Sequence, residues 1–336
     1  MQLIALRGLA AGALDEVLDE QAAAGRALYG ADFAAQAGRI RLLLELGLLQ
    51  GAAATVNGHA VAYAQTQVRG DVGLIINHHV LQAHRAGHFE HALVAACLAS
   101  LAASVRRIEW STPLWDGFNP RLLPHAEFLT LYRSHLMVAN PARGVAALRQ
   151  RHSRFVFETW DTSHEAAAAR LVAQAYREYA DAEVDALYRS PAGALQLVRQ
   201  LTRADHGGEP LPEASFVAHE PHSAELCAIV LVRRVGADAA LGELMCVAPA
   251  WQRRSGLGLA LVQRVLQALV HGGLQTIGLQ VAQANVEAFR IYRRAGFEVA
   301  QCSALCIWEG FGSSELAEEP QARARTDERR RLRALQ

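Results

Sequence analysis

The chain has 336 residues, room for about two domains at roughly 100 to 200 residues each. Hydrophobic residues make up 51% and charged residues 20%, which excludes wholesale disorder and fibrous repeats. All 33 basic residues are arginine, so no P-loop, pyridoxal-phosphate or kinase lysine is available, and 33 acidic residues cancel any overall pull toward nucleic acid or an anionic membrane.

In chain order, helices are expected near 14–29 and 35–48, then strands near 60–68 and 72–78. The segment 140–153, opening on Asn140-Pro141-Ala142-Arg143-Gly144, reads as a linker. Beyond it 154–160 alternates as a strand, and Ser163 is placed to cap an alanine-rich helix reaching residue 179. A helix at 192–203 precedes strands at 215–219, 225–233 and 242–247. After Gly258, Leu261, Val262, Val265, Leu266, Leu269 and Val270 form the stripe of an amphipathic helix that Gly272 and Gly273 end. Ile277, Leu279 and Val281 alternate as a strand, and Asn285 is placed to cap a helix carrying Ala288, Ile291, Tyr292 and Ala295. From Glu309 the sequence turns polar and charged, the composition of an unpacked tail.

A repeat underlies this order. Shifting the chain by 169 positions puts Gly73 on Gly242, Gly87 on Gly256, Leu93 on Val262, Ile108 on Ile277, Ala126 on Ala295 and Phe128 on Phe297 without a gap. Register kept across strand, loop, helix, strand and helix implies a duplicated domain. The expected organisation is 1–139, a linker at 140–153, a second copy at 154–308 and a tail at 309–336.

The stretch from Gly242 to Leu266 carries the strongest chemical signal: an apolar strand, a polar glycine loop, then a long helix. That order aims backbone N–H groups and the positive end of a helix at one place, a built anion site. Gly256 and Gly258 are read as letting a phosphate approach where a Cβ would obstruct it.

The run Val247 to Gly258, with Arg253, Arg254, Ser255, Gly256, Leu257 and Gly258 in its loop, resembles the R/Q-x-x-G-x-G/A pyrophosphate loop of the GNAT acyltransferase superfamily. Asn285 to Phe297 resembles that superfamily's N-x-x-A-x-x-x-Y-x-x-x-G-F segment, at its usual distance downstream. The resemblance covers nearly all of the second copy and reaches the first through the repeat. It implies an α/β (α+β) fold of two tandem GNAT-like domains, each a mixed, mostly antiparallel sheet flanked by helices, with acetyl-CoA as co-substrate and no metal. It further implies Tyr292 as the acid that protonates the leaving thiolate and Glu243 as the base that deprotonates the amine. Strand N–H groups near Cys246 and Val247 would meet the oxyanion, and Asn285 would hold CoA or a bridging water. Cys246 has no histidine beside it in sequence, so direct transfer is expected rather than a covalent acyl-enzyme.

At the 169 offset Arg253 becomes His84, Gly258 becomes Phe89, Glu243 becomes Leu74, Asn285 becomes Asp116 and Tyr292 becomes Leu123, so the first copy is expected to be catalytically silent. Its His84, His88 and His91 could share a helix face but lack the pattern of a zinc site. Asp181, Glu183 and Asp185 cluster in the loop that shapes acceptor sites in the family and could attract a cationic amine. A small-molecule amine is the expected acceptor, with no nucleic-acid or membrane partner and a monomer or homodimer as the assembly. The rival readings are a protein lysine or N-terminal acetyltransferase and a non-catalytic CoA-binding regulatory module. Five scattered cysteines without a C-x-x-C pair, no secretory leader pattern and no long apolar run point to the cytoplasm.

Overall fold

The computed structural model describes residues 1–29, 33–85, 89–114, 118–148, 154–177, 184–204, 208–222, 225–252 and 255–312. The first copy runs β1 (Gln2–Ala5), α1 (Asp15–Tyr29), α2 (Ala34–Glu45), β2 (Gly51–Val56), β3 (His59–Arg69), β4 (Val72–Val80), α3 (Phe89–Leu101), β5 (Arg107–Pro113) and β6 (Leu129–Ala139). A short helix, α4 (Pro141–Ala147), follows. The second copy runs β7 (Val156–Thr159), α5 (Glu165–Ala175), α6 (Pro191–Leu201), β8 (Glu209–Pro210), β9 (Phe216–His219), β10 (Leu226–Arg234), β11 (Ala239–Val247), α7 (Leu257–His271), β12 (Thr276–Ala282), α8 (Val286–Arg294) and β13 (Glu298–Glu309). Both copies thus share one plan, a mostly antiparallel sheet with a single parallel pair, β4 with β5 in the first and β11 with β12 in the second. Among the described residues no helix is long and apolar enough to cross a membrane.

The chain divides into two compact units, and their boundaries differ from those expected at 139/140 and 308. One unit comprises 1–27, 33–132 and 303–336; the other comprises 28–32 and 133–302. The last strand of each copy is exchanged. In the second unit β6 lies antiparallel to β12, with Ser134 opposite Ala282 and Ala139 opposite Ile277. In the first, β13 lies antiparallel to β5, with Ser303 opposite Pro113 and Glu309 opposite Arg107.

Several local expectations are corrected. Asp161, not Ser163, caps the turn before α5, its Oδ1 accepting the Ser163 N–H at 2.8 Å in a capping box with His164. The expected linker begins with α4, capped by Asn140, whose Oδ1 accepts the Arg143 N–H at 3.0 Å. Pro141 at its first position suits a helix start. The first copy has no helix matching α8 among its described residues, only the 3-10 turns Pro120–Leu122 and Ala126–Phe128. The expected unpacked tail lies, beyond Gly312, outside the described residues.

In the second unit the apolar stripe of α7 (Leu257, Leu261, Val262, Val265, Leu266, Leu269) packs with Val230, Val232, Leu279 and Tyr292. On the other side of the sheet α5 and α6 pack through Val172, Leu197 and Val198 against Ile229, Leu231, Leu244 and Cys246. Helices cover both faces of this sheet, and a ligand-binding opportunity lies where its strands β11 and β12 part.

Candidate active site

That parting is built into the pairing of β11. Its parallel contact with β12 covers Ala239 to Gly242 and stops at Gly242 opposite Leu279. Against β10 the register slips at the same point: Leu231 faces Leu244 while Val232 faces Gly242, so Glu243 is the extra residue of a β-bulge. A bulge bends its strand and often re-aims a side chain beside a site. Beyond it β11 follows β10 alone.

The ladder then fixes which backbone groups face the gap. Ala248 N–H donates to Cys227 C=O at 2.7 Å. Antiparallel pairs alternate, so Cys246 and Leu244 spend their polar groups on β10, whereas those of Met245 and Val247 turn to the open side. Two carbonyls already have partners there: Met245 accepts from Tyr176 Oη at 3.4 Å and Val247 accepts from Gln252 Nε2 at 2.9 Å. The N–H groups of Met245 and Val247 are the donors this edge offers, which corrects the expected Cys246. The Cys246 thiol is buried, and burial pushes its pKa up, so it is held as an unreactive thiol.

The helix after the gap starts on Gly256, in the left-handed region at φ 70° with open space where a Cβ would stand. Ser255 Oγ donates to Trp251 C=O and accepts the Leu257 N–H at 3.1 Å. The first bond of the helix is Ala260 N–H to Gly256 C=O at 3.1 Å, which leaves the Gly258 and Leu259 N–H groups as the helix's terminal donors. Gly258 differs from expectation. A Cβ there would stand 3.2 Å from Ile291 Cδ1 and 3.8 Å from Val247 Cγ2, so this glycine lets α7 pack against α8 and β11 rather than opening a path to the backbone. Arg253 and Arg254 lie outside the described residues.

These elements wall a cleft of about 1350 Å³, partly open to solvent, lined by Met245, Val247, Trp251, Ser255, Gly256 and Gly258 and by the α8 face of Asn285, Ala288, Arg290, Ile291 and Arg294. Arg290 and Arg294, one turn apart, escaped sequence reasoning, as did Tyr176. Their signal was the i, i+4 spacing on the Asn285 side of the Tyr292 helix. Asn285 caps α8, its Oδ1 accepting the Ala288 N–H at 3.1 Å, and leaves its amide nitrogen to the cleft. Tyr292 is 7% exposed, with its hydroxyl 3.9 Å from Met245 Sδ and its ring on Phe297. Burial raises the pKa of that hydroxyl above its ordinary value, so it stays protonated.

Glu243 lines a second chamber that joins this cleft. Its carboxylate lies 3.0 Å from Nε of Arg233, which is 1% exposed, as an ion pair rather than an aligned hydrogen bond. The Arg233 guanidinium also donates to Leu201 C=O at 2.7 Å and Gly208 C=O at 3.3 Å. Asp185 lines neither cavity; its Oδ1 caps the turn at 186–189 by accepting the Leu187 N–H at 2.8 Å, and Asp181 and Glu183 lie outside the described residues.

The first copy closes the same gap with side chains. His78, at the end of β4, accepts from Trp110 Nε1 at 3.2 Å through Nδ1 and lies 3.2 Å from Thr112 Oγ1 and 3.8 Å from Glu90 through Nε2. Burial pushes His78 down to about 4 and Glu90 up to about 7, so both are neutral near pH 6. His84 lies in a 3-10 turn with its ring edge-on to Phe89 at 5.5 Å, and His88 lies outside the described residues. Among the described residues Glu158, His164 and His219 have metal-ligand spacing. His164 Nδ1, however, accepts the Asp161 N–H at 3.1 Å, so the proton sits on the Nε2 that faces Glu158.

Residues 212–299 match the family described as the acetyltransferase (GNAT) domain. The fold of the whole chain is similar to a GCN5-related N-acetyltransferase from Sphaerobacter thermophilus, with a TM-score of 0.63 at 19% identity over 92% of this chain and 97% of that one. It is also similar to a tandem GNAT protein from the clavulanic acid biosynthesis pathway, with a TM-score of 0.54 at 14% identity over 92% and 98%. A GNAT-family acetyltransferase from Colwellia psychrerythraea gives 0.50 at 13% over 92% and 100%. No curated protein sequence matches the chain. The chain thus has the fold of tandem GNAT proteins, and the match to the acetyltransferase (GNAT) domain lies in its second copy.

Proposed function

We propose that the second unit moves an acyl group from an acyl-CoA thioester, acetyl-CoA in the simplest case, directly to the primary amine of a small molecule. The observation that carries this reading is the meeting of the α7 N-terminus and the unpaired edge of β11 in one cleft, with Tyr292 lining the adjoining chamber and its hydroxyl 3.9 Å from Sδ of Met245, a residue that lines both. The Gly258 and Leu259 N–H groups and the positive helix end suit a pyrophosphate. Arg290 and Arg294 add cationic charge to the cleft that holds them. The Met245 and Val247 N–H groups are placed to donate to the thioester carbonyl oxygen as charge develops on it.

An alkylamine has a pKa near ~10.4 and must lose a proton before it attacks. In this reading Glu243, 3.0 Å from Arg233 Nε, draws the ammonium and takes that proton directly or through water. Tyr292 returns a proton to the departing thiolate. The first copy takes no part in this chemistry, because His78 bonds to Trp110 and Thr112 in its gap and, among its described residues, no helix is placed to carry an acid.

The test is thiol release from acetyl-CoA against a panel of primary amines, including a lysine-containing peptide. Amine-dependent release with small amines foremost is the expected result. Binding of acetyl-CoA without release from any amine would make the chain a CoA-responsive module instead, and release with the peptide alone would make it a protein acetyltransferase.

A further inference from the structure

We infer that Cys302, assisted by His135, is a reactive thiol that takes a small thiol from a low-molecular-weight disulfide and holds it as a mixed disulfide. Cys302 on β13 and His135 on β6 stand 167 positions apart in sequence, and the second unit, to which both belong, brings Sγ to 3.3 Å from Nδ1. Of the five cysteines Cys302 alone is not buried. Burial raises the pKa of the other four thiols, Cys97, Cys227, Cys246 and Cys306, and so holds them protonated.

The imidazole is held in turn, its ring 5.2 Å from that of Phe289 on α8. A nucleophile within hydrogen-bond reach of a base that a third group orients is the arrangement that activates a thiol. Among the described residues no other group hydrogen-bonds this imidazole, so Nε2 can carry the ring proton while Nδ1 accepts that of the thiol. Two donors fall short of the three protein ligands of even an open zinc site, and among the described residues no third metal-ligating side chain gathers with them. Neither residue lines the cleft or the chamber beside it, so the inference does not rest on the donor reading.

In the exchange the Sγ proton passes to Nδ1, and Sγ attacks one sulfur of the disulfide R–S–S–R. The S–S bond breaks, an Sγ–S–R bond forms, and the departing RS⁻ takes the proton from the imidazolium. Cys302 is oxidised, half of the disulfide is reduced to RSH, and no further oxidant is consumed. With the other four thiols buried, no protein thiol is exposed to displace R, so the product is a mixed disulfide rather than an internal one.

The experiment treats the full native chain with oxidised glutathione at pH 7 and maps the adduct by peptide mass spectrometry. One glutathione per chain, on Cys302 and released by dithiothreitol, is the expected result. An unassisted thiol is only a few per cent thiolate at pH 7, so native Cys302 should react about tenfold faster than the same cysteine in the urea-unfolded chain. His135→Gln should erase that advantage. Adducts spread over several cysteines, a native rate no higher than the unfolded one, or a His135→Gln variant as fast as wild type each overturns the inference. The native-to-unfolded comparison uses the wild-type chain, so it decides the matter even where His135→Gln fails to fold.

Discussion

Tyr292→Phe removes one oxygen from a side chain that is 7% exposed and leaves its ring packing on Phe297 in place. The hydroxyl's hydrogen-bond contact is Met245 Sδ at 3.9 Å, and a thioether is a weak acceptor, so stability should change by no more than about 1 kcal/mol. A positioned proton donor contributes roughly 10² to 10⁴ in rate, or about 2.7 to 5.4 kcal/mol of barrier. The expected outcome is a kcat for thiol release at least about a hundredfold lower, with the calorimetric Kd for acetyl-CoA essentially unchanged. Because burial raises the pKa of this phenol, the wild-type profile should show no alkaline loss from its ionisation below about pH 10. An unchanged kcat would make Tyr292 a core residue and refute the acid role. Parallel loss of kcat and acetyl-CoA affinity would show that the hydroxyl holds the cleft's shape instead.

Glu243→Gln should cost both activity and stability, because it strips the counter-charge from buried Arg233; about 2 to 4 kcal/mol by denaturant titration is expected, given the 20% exposure of the Glu243 side chain. Adding Arg233→Met should restore much of the stability but not the turnover, and restored turnover would reduce Glu243 to a structural partner. In the first unit, Glu90 with a raised pKa destabilises the fold increasingly from pH 4.5 to about 7, while His78 with a lowered one does so increasingly as pH falls from 6.5 to about 4. These slopes oppose, so wild-type stability should be nearly flat between them. Glu90→Gln should make stability rise with pH by about 1 to 3 kcal/mol across that window, and His78→Asn should make it fall by a similar amount; slopes of the same sign would refute the pairing. Cys246→Ala should keep turnover within a few-fold, and its abolition would revive a covalent acyl-enzyme.

The repeat at 169 positions and the two motifs made the element order of both copies legible, because glycine placement and apolar periodicity are local properties. The exchange of β6 and β13 was not. These strands occupy the same register of the repeat, and alternating residues such as Leu136 and Leu305 specify a strand without specifying which sheet receives it. Of the residues picked out by motif, Asn285 lines the cleft and Tyr292 lines the chamber beside it. The partnership of Glu243 with Arg233 was invisible, since the bulge that sets it arises from pairing with β10. Gly258 reads in sequence as a phosphate glycine, yet Ile291, more than thirty positions away, supplies its physical reason. In the first copy Asp116 for Asn285 suggests lost chemistry by sequence, but only the fold shows His78 bridged to Trp110 where the strands part.

Calorimetric titration of the full chain with acetyl-CoA tests the central claim most directly, because its stoichiometry counts working sites without an acceptor. One site per chain is the predicted result, formed at the α7 N-terminus of the second unit. Two sites would contradict the closure of the first copy's gap by His78, and no binding would contradict the assignment of the cleft to an acyl-CoA donor.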